Sequence, residues 1–351
     1  MLIDLIDPYS LKKEEKMQWL SKILKELTEH HYNNCIEYKK ILDAFDISLN
    51  DINNYTDIPF LPVRLFKEFK LASVADDNLI KTLTSSGTTS SQVSKIYLDR
   101  ITSGLQTKVL IKIVSDFIGK SRFPMIILDT SAVIKDRKMF SARGAGIIGF
   151  SIFAREKIFA FDENMQLDIE GLRNFLQKYS GQTILLFGFT FMIWQYFYKE
   201  IVKADIDLSN GILIHGGGWK KLIDTAVNPE IFKQSLKTAC GISRIHDYYG
   251  MVEQTGTIYV ECEYGHMHAS VFSDVCIRRA KDFSIANIGE RGLIEVVSSL
   301  PYSYPGHILL TEDEGIIFGE DDCPCGRYGK YFKIFGRINN AEIRGCSDTY
   351  E

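Results

Sequence analysis

Seven consecutive residues, Thr84, Ser85, Ser86, Gly87, Thr88, Thr89 and Ser90, carry six hydroxyl side chains and one glycine. A loop of this composition presents hydroxyls and backbone N–H groups to a polyphosphate, and Gly87 lets backbone approach closely. Lys95, a few residues on, adds a point charge suited to phosphate. No G-x-x-x-x-G-K-[ST] pattern is present, so the stretch is not a P-loop, and polar surface loops share its composition. Residues 247–253 read DYYGMVE. They join an aromatic, a glycine turn and a carboxylate: Tyr249 could pack on a purine, and Glu253 could ligate Mg2+ beside phosphates. His215 is followed by Gly216, Gly217 and Gly218, as in a loop that lets a planar ligand reach the backbone. Asp313 in LLTEDEG and Arg337 in FGRINN could bond ribose hydroxyls. Each feature is common by chance; their order along the chain carries the information.

Such residues need a scaffold. Residues 12–45 read as helical, because Met17, Leu20, Ile23, Leu24 and Leu27 recur at three- and four-residue spacing among Lys and Glu. Pro59 and Pro62 then impose an extended stretch. Short apolar runs at 124–128, 183–187 and 211–214 end in turn or polar residues, and amphipathic stretches at 172–179 and 231–239 lie between them. That alternation predicts an α/β architecture. From Gly289 onward the pattern changes to short strands and turns, a smaller β-rich part.

The chain has 351 residues, 45% of them hydrophobic, enough for one large domain or two smaller ones. A formal charge of -4 gives no reason to expect nucleic acid, while a local positive site for an anionic nucleotide remains compatible with it. The N-terminus carries Asp4 and Asp7 in its first apolar stretch and does not read as a secretory signal. The most apolar run, residues 183–197, is interrupted by Gly188, Thr190 and Gln195 and is too short to span a bilayer. A cytoplasmic protein without a membrane span is expected. Seven cysteines, an odd number, suit reduced thiols better than a disulfide framework.

The series TSSGTT, GGG, YGMVE, T-x-D and GR resembles the adenylate-forming superfamily of acyl- and aryl-CoA ligases. Within it, SSGTTSSQVSKIYLDR, SARGAGIIG, YYGMVEQTG and NNAEIRGCSDTY look like stretches of LuxE-type acyl-protein synthetases, with the phenylacetate-CoA ligase group as a near relative. The resemblance runs from about Pro59 to the end. It implies an adenylate-forming core over residues 1–335, with a helical segment over about 1–58, and a hinge remnant over 336–351. It implies ATP and Mg2+ as cofactors: Thr84, Ser85, Ser86, Gly87, Thr88 and Thr89 on the phosphates, Gly216, Gly217, Gly218, Tyr249 and Gly250 at the adenine, Glu253 on magnesium, and Asp313 with Arg337 on the ribose. Glu253 and Lys95 would serve catalysis. The chain departs from the pattern at Ser90 and Val93, where the superfamily usually has Gly and Pro, and at Val252, where Thr or Ser is common. CoA ligases continue past their GR motif into a lid domain with a catalytic Lys; this sequence ends fourteen residues after Arg337, so a missing lid is expected.

Cys346, in AEIRGCSD, is the candidate acyl acceptor. Arg344 would favour its thiolate, and Gly345 permits close approach. The LuxE-type pattern is similar to a fatty acyl-AMP synthetase that acylates its own C-terminal Cys and hands the acyl group to a reductase; a carrier is the other acceptor considered. An inert, partly buried Cys is the plain alternative.

A second constellation pairs Cys262-Glu-Tyr-Gly-His-Met-His268 with Cys323-Pro-Cys325-Gly. Two Cys/His knuckles on turns suit a structural zinc ion. Cys262, His268, Cys323 and Cys325 are the expected ligands, with His266 as substitute for His268; reduced thiols beside a β-turn explain the same residues. The aromatic run 187–194 could line an apolar tunnel for the acid substrate, although core packing explains most of it. Arg143 is a phosphate or carboxylate partner on charge alone.

The expected reaction is a carboxylic acid, first guess fatty, plus ATP giving acyl-AMP and pyrophosphate, then thioester formation. A carboxylate–CoA ligase is one alternative, and a catalytically silent nucleotide- or acyl-binding subunit another. An α/β-hydrolase lacks its G-x-S-x-G elbow here.

Overall fold

The apolar spacing at the N-terminus forms a helix, Lys13–Asn34, whose buried Leu20, Leu24 and Leu27 face one way. It stops at Asn34, inside the predicted 12–45 span: Cys35 is extended (φ -123°, ψ 106°) and a second helix, Ile36–Ala44, begins after it. Asn34 contributes to the break, donating from its side chain to the His30 carbonyl at 2.8 Å in competition with the backbone ladder. The computed structural model describes residues 5–85, 93–134, 142–219 and 226–338. The first unit takes the described residues up to Phe117 and from Gly250 onward, and the second takes Ile118–Tyr249. After these two helices, the first unit continues with strand β1 (Leu61–Pro62) and the hairpin β2 (Leu79–Thr84) and β3 (Lys95–Asp99).

The second unit is built on five strands: β4 (Phe123–Thr130), β5 (Ala154–Phe161), β6 (Ile184–Phe189), β7 (Gly211–Gly216) and β8 (Arg244–Tyr249). They are all parallel, in the spatial order β5-β4-β6-β7-β8. Every residue of β4, β6 and β7 is buried, as strands covered on both faces must be. The crossover helices follow from ordinary end signals. Asp168 caps Ile169–Lys178 through the Gly171 N–H at 2.9 Å. Asn228 caps Pro229–Cys240 through the Ile231 N–H at 2.8 Å, with Pro229 in the first turn and left-handed Gly241 (φ 82°) at its end. In this order the chain leaves β4 to one side for β5 and returns to the other for β6. Ligands bind at the carboxyl ends of strands around such a reversal.

The first unit carries an antiparallel sheet of β9 (Tyr259–Glu261), β10 (Met267–His268), β11 (Ser273–Arg278), β12 (Arg291–Ser298), β13 (Ile308–Glu320) and β14 (Lys330–Arg337). Their order is β11-β12-β13-β14-β10-β9, and β1 lies parallel to the start of β13 with Leu61 opposite Leu309. Two of the short strand-like runs expected beyond Gly289, GHILLT (306–311) and GIIFGE (315–320), prove to be one strand, β13, with its register to β14 shifting at Glu314/Gly315 and Ile317/Gly319. Leu20, Leu24 and Leu27 pack on Ile52, Tyr55, Ile58, Cys276, Val297 and Ile308. No helix among the described residues is long and apolar enough to cross a membrane.

Beneath that helix lies a buried charge cluster. The Asp274 carboxylate accepts from Lys330 Nζ at 2.9 Å, from Lys16 Nζ at 3.4 Å and from the Tyr55 hydroxyl. Lys330 also donates to the Val275 carbonyl and Lys16 to that of Ala269. Burial opposes the charge on Asp274, but Lys16 and Lys330 outweigh it and hold the carboxyl well below its usual range. Its contribution to stability is therefore present above the unfolded carboxylate pKa of about 3.9 and is lost as pH falls through the depressed folded value. Asp274→Asn leaves two buried ammonium groups without their counter-charge. We expect it to cost about 3–5 kcal/mol in urea unfolding at pH 7; a loss under about 1 kcal/mol would show that the cluster does not hold the unit together.

Candidate functional site

The predicted nucleotide residues fall at the ends of strands. In the second unit, Gly216 ends β7 and Tyr249 ends β8, both at the carboxyl edge. A Cβ on Gly216 would lie 2.5 Å from the ring of Tyr248, so the planar group seated against this glycine is a tyrosine of the neighbouring strand. Gly217 has φ +79°, which glycine alone adopts cheaply, and with Gly218 it is exposed. His215, one residue earlier, is buried. Its Nδ1 lies 2.9 Å from the Thr190 hydroxyl and 3.5 Å from an Asp247 oxygen. Burial pushes its pKa down to about 3, so the imidazole is neutral at physiological pH.

Arg143 does not wait for a ligand. Its guanidinium holds Asp129, at the carboxyl end of β4, through two hydrogen bonds of 2.6 and 2.7 Å, both side chains being buried. The pair fixes the edge around which strand order reverses. The aromatic run after residue 187 is mostly core: Phe187 stacks on Phe150 at 4.2 Å, and Phe189, Met192 and Ile193 are buried. A single π-helical stretch, Ile193–Tyr198, follows. It sets Trp194 against Tyr198, Trp219 and Phe232.

In the first unit, Thr84 and Lys95 are a cross-strand pair closing the β2–β3 hairpin. Ser85 and Ser94 continue the closure, with Ser94 N–H donating to Ser85 Oγ at 2.9 Å. Ser86, Gly87, Thr88 and Thr89 lie outside the described residues, as does Cys346. Asp313 and Arg337 are also cross-strand partners, and Arg337 Nε lies 3.9 Å from Asp313 Oδ1. Gly250 is exposed, and Glu253 sits on a 3-10 turn, Val252–Gln254, with its side chain buried. The turn is fastened by residues that sequence reasoning passed over. Tyr304 OH donates to the Glu253 carbonyl at 2.9 Å, and the Gln254 amide donates to the carbonyls of Val296, Gly306 and His307. The sequence marks them only by a Gln directly after the motif carboxylate; its burial is seen in the structure.

Fifty-seven residues apart in sequence, the two Cys/His knuckles meet. One ligand atom from each of Cys262, His268, Cys323 and Cys325 lies within 4.8 Å of the others. Cys325 Sγ is 3.3 Å from His268 Nε2. His266 lies beside the cluster, with Nδ1 3.4 Å from Cys323 Sγ and its ring against Tyr331. The turn of Cys262 to Gly265 and the β9–β10 pairing bring the first two ligands to one place; the turn after β13 brings the other two. Three thiols and an imidazole at this spacing fit the tetrahedral N/S donor set of zinc, whose bonds are about 2.0–2.3 Å.

A family model described as acyl-protein synthetase, LuxE, matches residues 1–351. The long-chain-fatty-acid–luciferin-component ligase of Vibrio harveyi is 24% identical over 369 residues, covering 99% of this chain and 91% of that protein. The ligase of the same description from Aliivibrio fischeri is 24% identical over 361 residues, with the same coverage. A 2-hydroxyisobutyryl-CoA ligase, solved in an open conformation with 2-HIB-AMP and CoA, superposes with a TM-score of 0.74 at 14% identity, covering 95% of this chain and 77% of that one. Its postadenylation structure gives 0.72. At such identity the superposition speaks for a shared adenylate-forming fold.

Gly216→Ala should separate the packing role of this glycine from that of its neighbour. The new methyl group meets the Tyr248 ring, and a loss of about 1–3 kcal/mol in unfolding free energy is expected. Gly218→Ala has nothing within 4 Å of its Cβ and should stay within about 0.5 kcal/mol of the parent. Equal effects from the two would contradict the assignment.

Proposed function

The chain belongs to the LuxE family of acyl-protein synthetases, and on that premise we propose that it joins a long-chain fatty acid to a protein thiol by way of an acyl-adenylate. It is an adenylate-forming ligase. The observation that carries the reading is the family match along the whole length, 1–351, joined to a fold shared with a ligase that holds an acyl-AMP. The fatty substrate rests on the activity for which the two bacterial relatives are named.

In the first half-reaction a carboxylate oxygen attacks the α-phosphorus of ATP. The bond to the β-phosphate breaks, and pyrophosphate leaves with the electron pair. In the second, a thiolate attacks the acyl carbonyl, the C–O bond to AMP breaks, and the thiol proton passes to solvent. The residues available fit nucleotide chemistry. Thr84 and Lys95, paired across the hairpin, flank the hydroxyl-rich loop that would hold phosphates. Gly216, Gly217, Gly218, Tyr249 and Gly250 would border the adenine. Asp313 and Arg337, paired on adjacent strands, would take the ribose hydroxyls. The Glu253 carboxylate suits a hard divalent cation; magnesium there would neutralise phosphate charge. His215, neutral and held by Thr190, orients the start of the glycine loop.

Cys346 is the proposed first acceptor, and a reductase or carrier protein the second. Zinc on Cys262, His268, Cys323 and Cys325 would clamp two turns of the first unit and take no part in the chemistry. A cytoplasmic setting suits the reduced thiols.

Incubation with labelled fatty acid and Mg-ATP tests the acceptor. Parent protein should retain a hydroxylamine-sensitive acyl label; Cys346→Ser should still form acyl-adenylate, trapped as hydroxamate, but retain no such label. Label persisting in Cys346→Ser would remove Cys346 from the pathway, and CoA-dependent turnover without protein acylation would select a CoA ligase. For the metal, tag-free protein should contain about one zinc per chain, and Cys262→Ser should lower both zinc content and thermal stability. Well under one zinc per chain in the parent would retire the assignment.

A further inference from the structure

The strand-to-turn segment that carries Glu253 is held from two sides by buried polar groups that lie far away in sequence. Gln254 is 2% exposed and points its amide nitrogen at three carbonyl oxygens: Gly306 at 2.8 Å, Val296 at 3.1 Å and His307 at 3.3 Å. The reverse amide orientation would set its oxygen against all three, so the orientation is fixed by the donors it must supply. Tyr304 is fully buried. Its hydroxyl donates to the Glu253 carbonyl at 2.9 Å and accepts from Gln106 Nε2 at 3.3 Å. The ring of Phe66 packs against that of Tyr304, edge on, at 6.0 Å. Within the turn, Gln254 N–H reaches the Met251 carbonyl at 3.2 Å and the Thr255 hydroxyl donates to the Val252 carbonyl at 3.0 Å. A single 3-10 turn does not fix a carboxylate by its own ladder. The outside hydrogen bonds hold its backbone instead, and they all tie it to residues within 296–307.

We propose that Tyr304 and Gln254 are positioning residues for the cation site at Glu253: they lock the backbone that follows its Cα, at the Glu253 carbonyl and at the next residue, so that the carboxylate is offered to the nucleotide-bound divalent ion in one place. The proposal rests on the assignment of Glu253 as the magnesium ligand. Partners that orient a metal ligand are commonly worth about 10–100-fold in metal affinity. Tyr304 acts one step further back, through the main chain, so the lower end applies.

Binding separates positioning from mere stability. ATP affinity is measured by calorimetry on the full chain, without fatty acid, in EDTA and over a series of Mg2+ concentrations. In the parent, Mg2+ should tighten ATP binding. Tyr304→Phe keeps the ring and should leave the affinity in EDTA unchanged, while cutting the Mg2+ enhancement by about tenfold. Gln254→Met, of similar length, should act in the same direction and serves if Tyr304→Phe folds poorly. Glu253→Gln should abolish the enhancement. An unchanged enhancement in both Tyr304→Phe and Gln254→Met, with Glu253→Gln defective and the variants merely less heat-stable, overturns the proposal alone. An unchanged enhancement in Glu253→Gln overturns the magnesium assignment and the proposal with it.

Discussion

A parallel sheet delivers every one of its strand ends to the same edge, and that constraint organises the second unit. Five strands in the order β5-β4-β6-β7-β8 bring Asp129, Thr190, His215 to Gly218 and Tyr249 to their carboxyl ends. The backbone at such an edge stops pairing and turns to other partners. The side chains there have specific partners too: Arg143 for Asp129, Thr190 for His215, and the bare Cα of Gly216 for the Tyr248 ring. Gly216 is glycine because the Tyr248 ring of the neighbouring strand fills the space a Cβ would need.

The first unit solves a different problem, that of holding polar groups inside an antiparallel sheet. Asp274 is buried only because two ammonium groups and a tyrosine hydroxyl neutralise and satisfy it. Gln254 and Tyr304 are buried because carbonyls of a distant segment need donors. The Cys/His cluster places three thiols and an imidazole in one small volume. In each case a side chain that would cost stability alone becomes part of a network.

Much of this was legible beforehand. The N-terminal helix, the buried strands at 124–128, 183–187 and 211–214 and the later change to β structure all follow from apolar period and turn residues. The residues at 262–268 and 323–325 were joined by type, because Cys and His on turns have few other uses. What escaped depends on register and tertiary approach. Nothing local says that Cys35 breaks a helix, or that two apolar runs fuse into the continuous β13. Pattern reading also assigned Arg143 by charge, whereas its partner Asp129 is fixed by the reach of a helix back to a strand end. Tyr304 carries no motif; its role appears only when its hydroxyl is seen against the Glu253 carbonyl.

Fatty-acid adenylation is tested most directly by carboxylate-dependent ATP–pyrophosphate exchange, screened across fatty, aryl and small acids with Mg2+ present. Exchange stimulated by long-chain fatty acids, and weakly or not at all by aryl and small acids, is the expected result. Silence across the whole panel, with the protein folded and ATP bound, would contradict adenylation and leave a nucleotide-binding protein on a ligase fold.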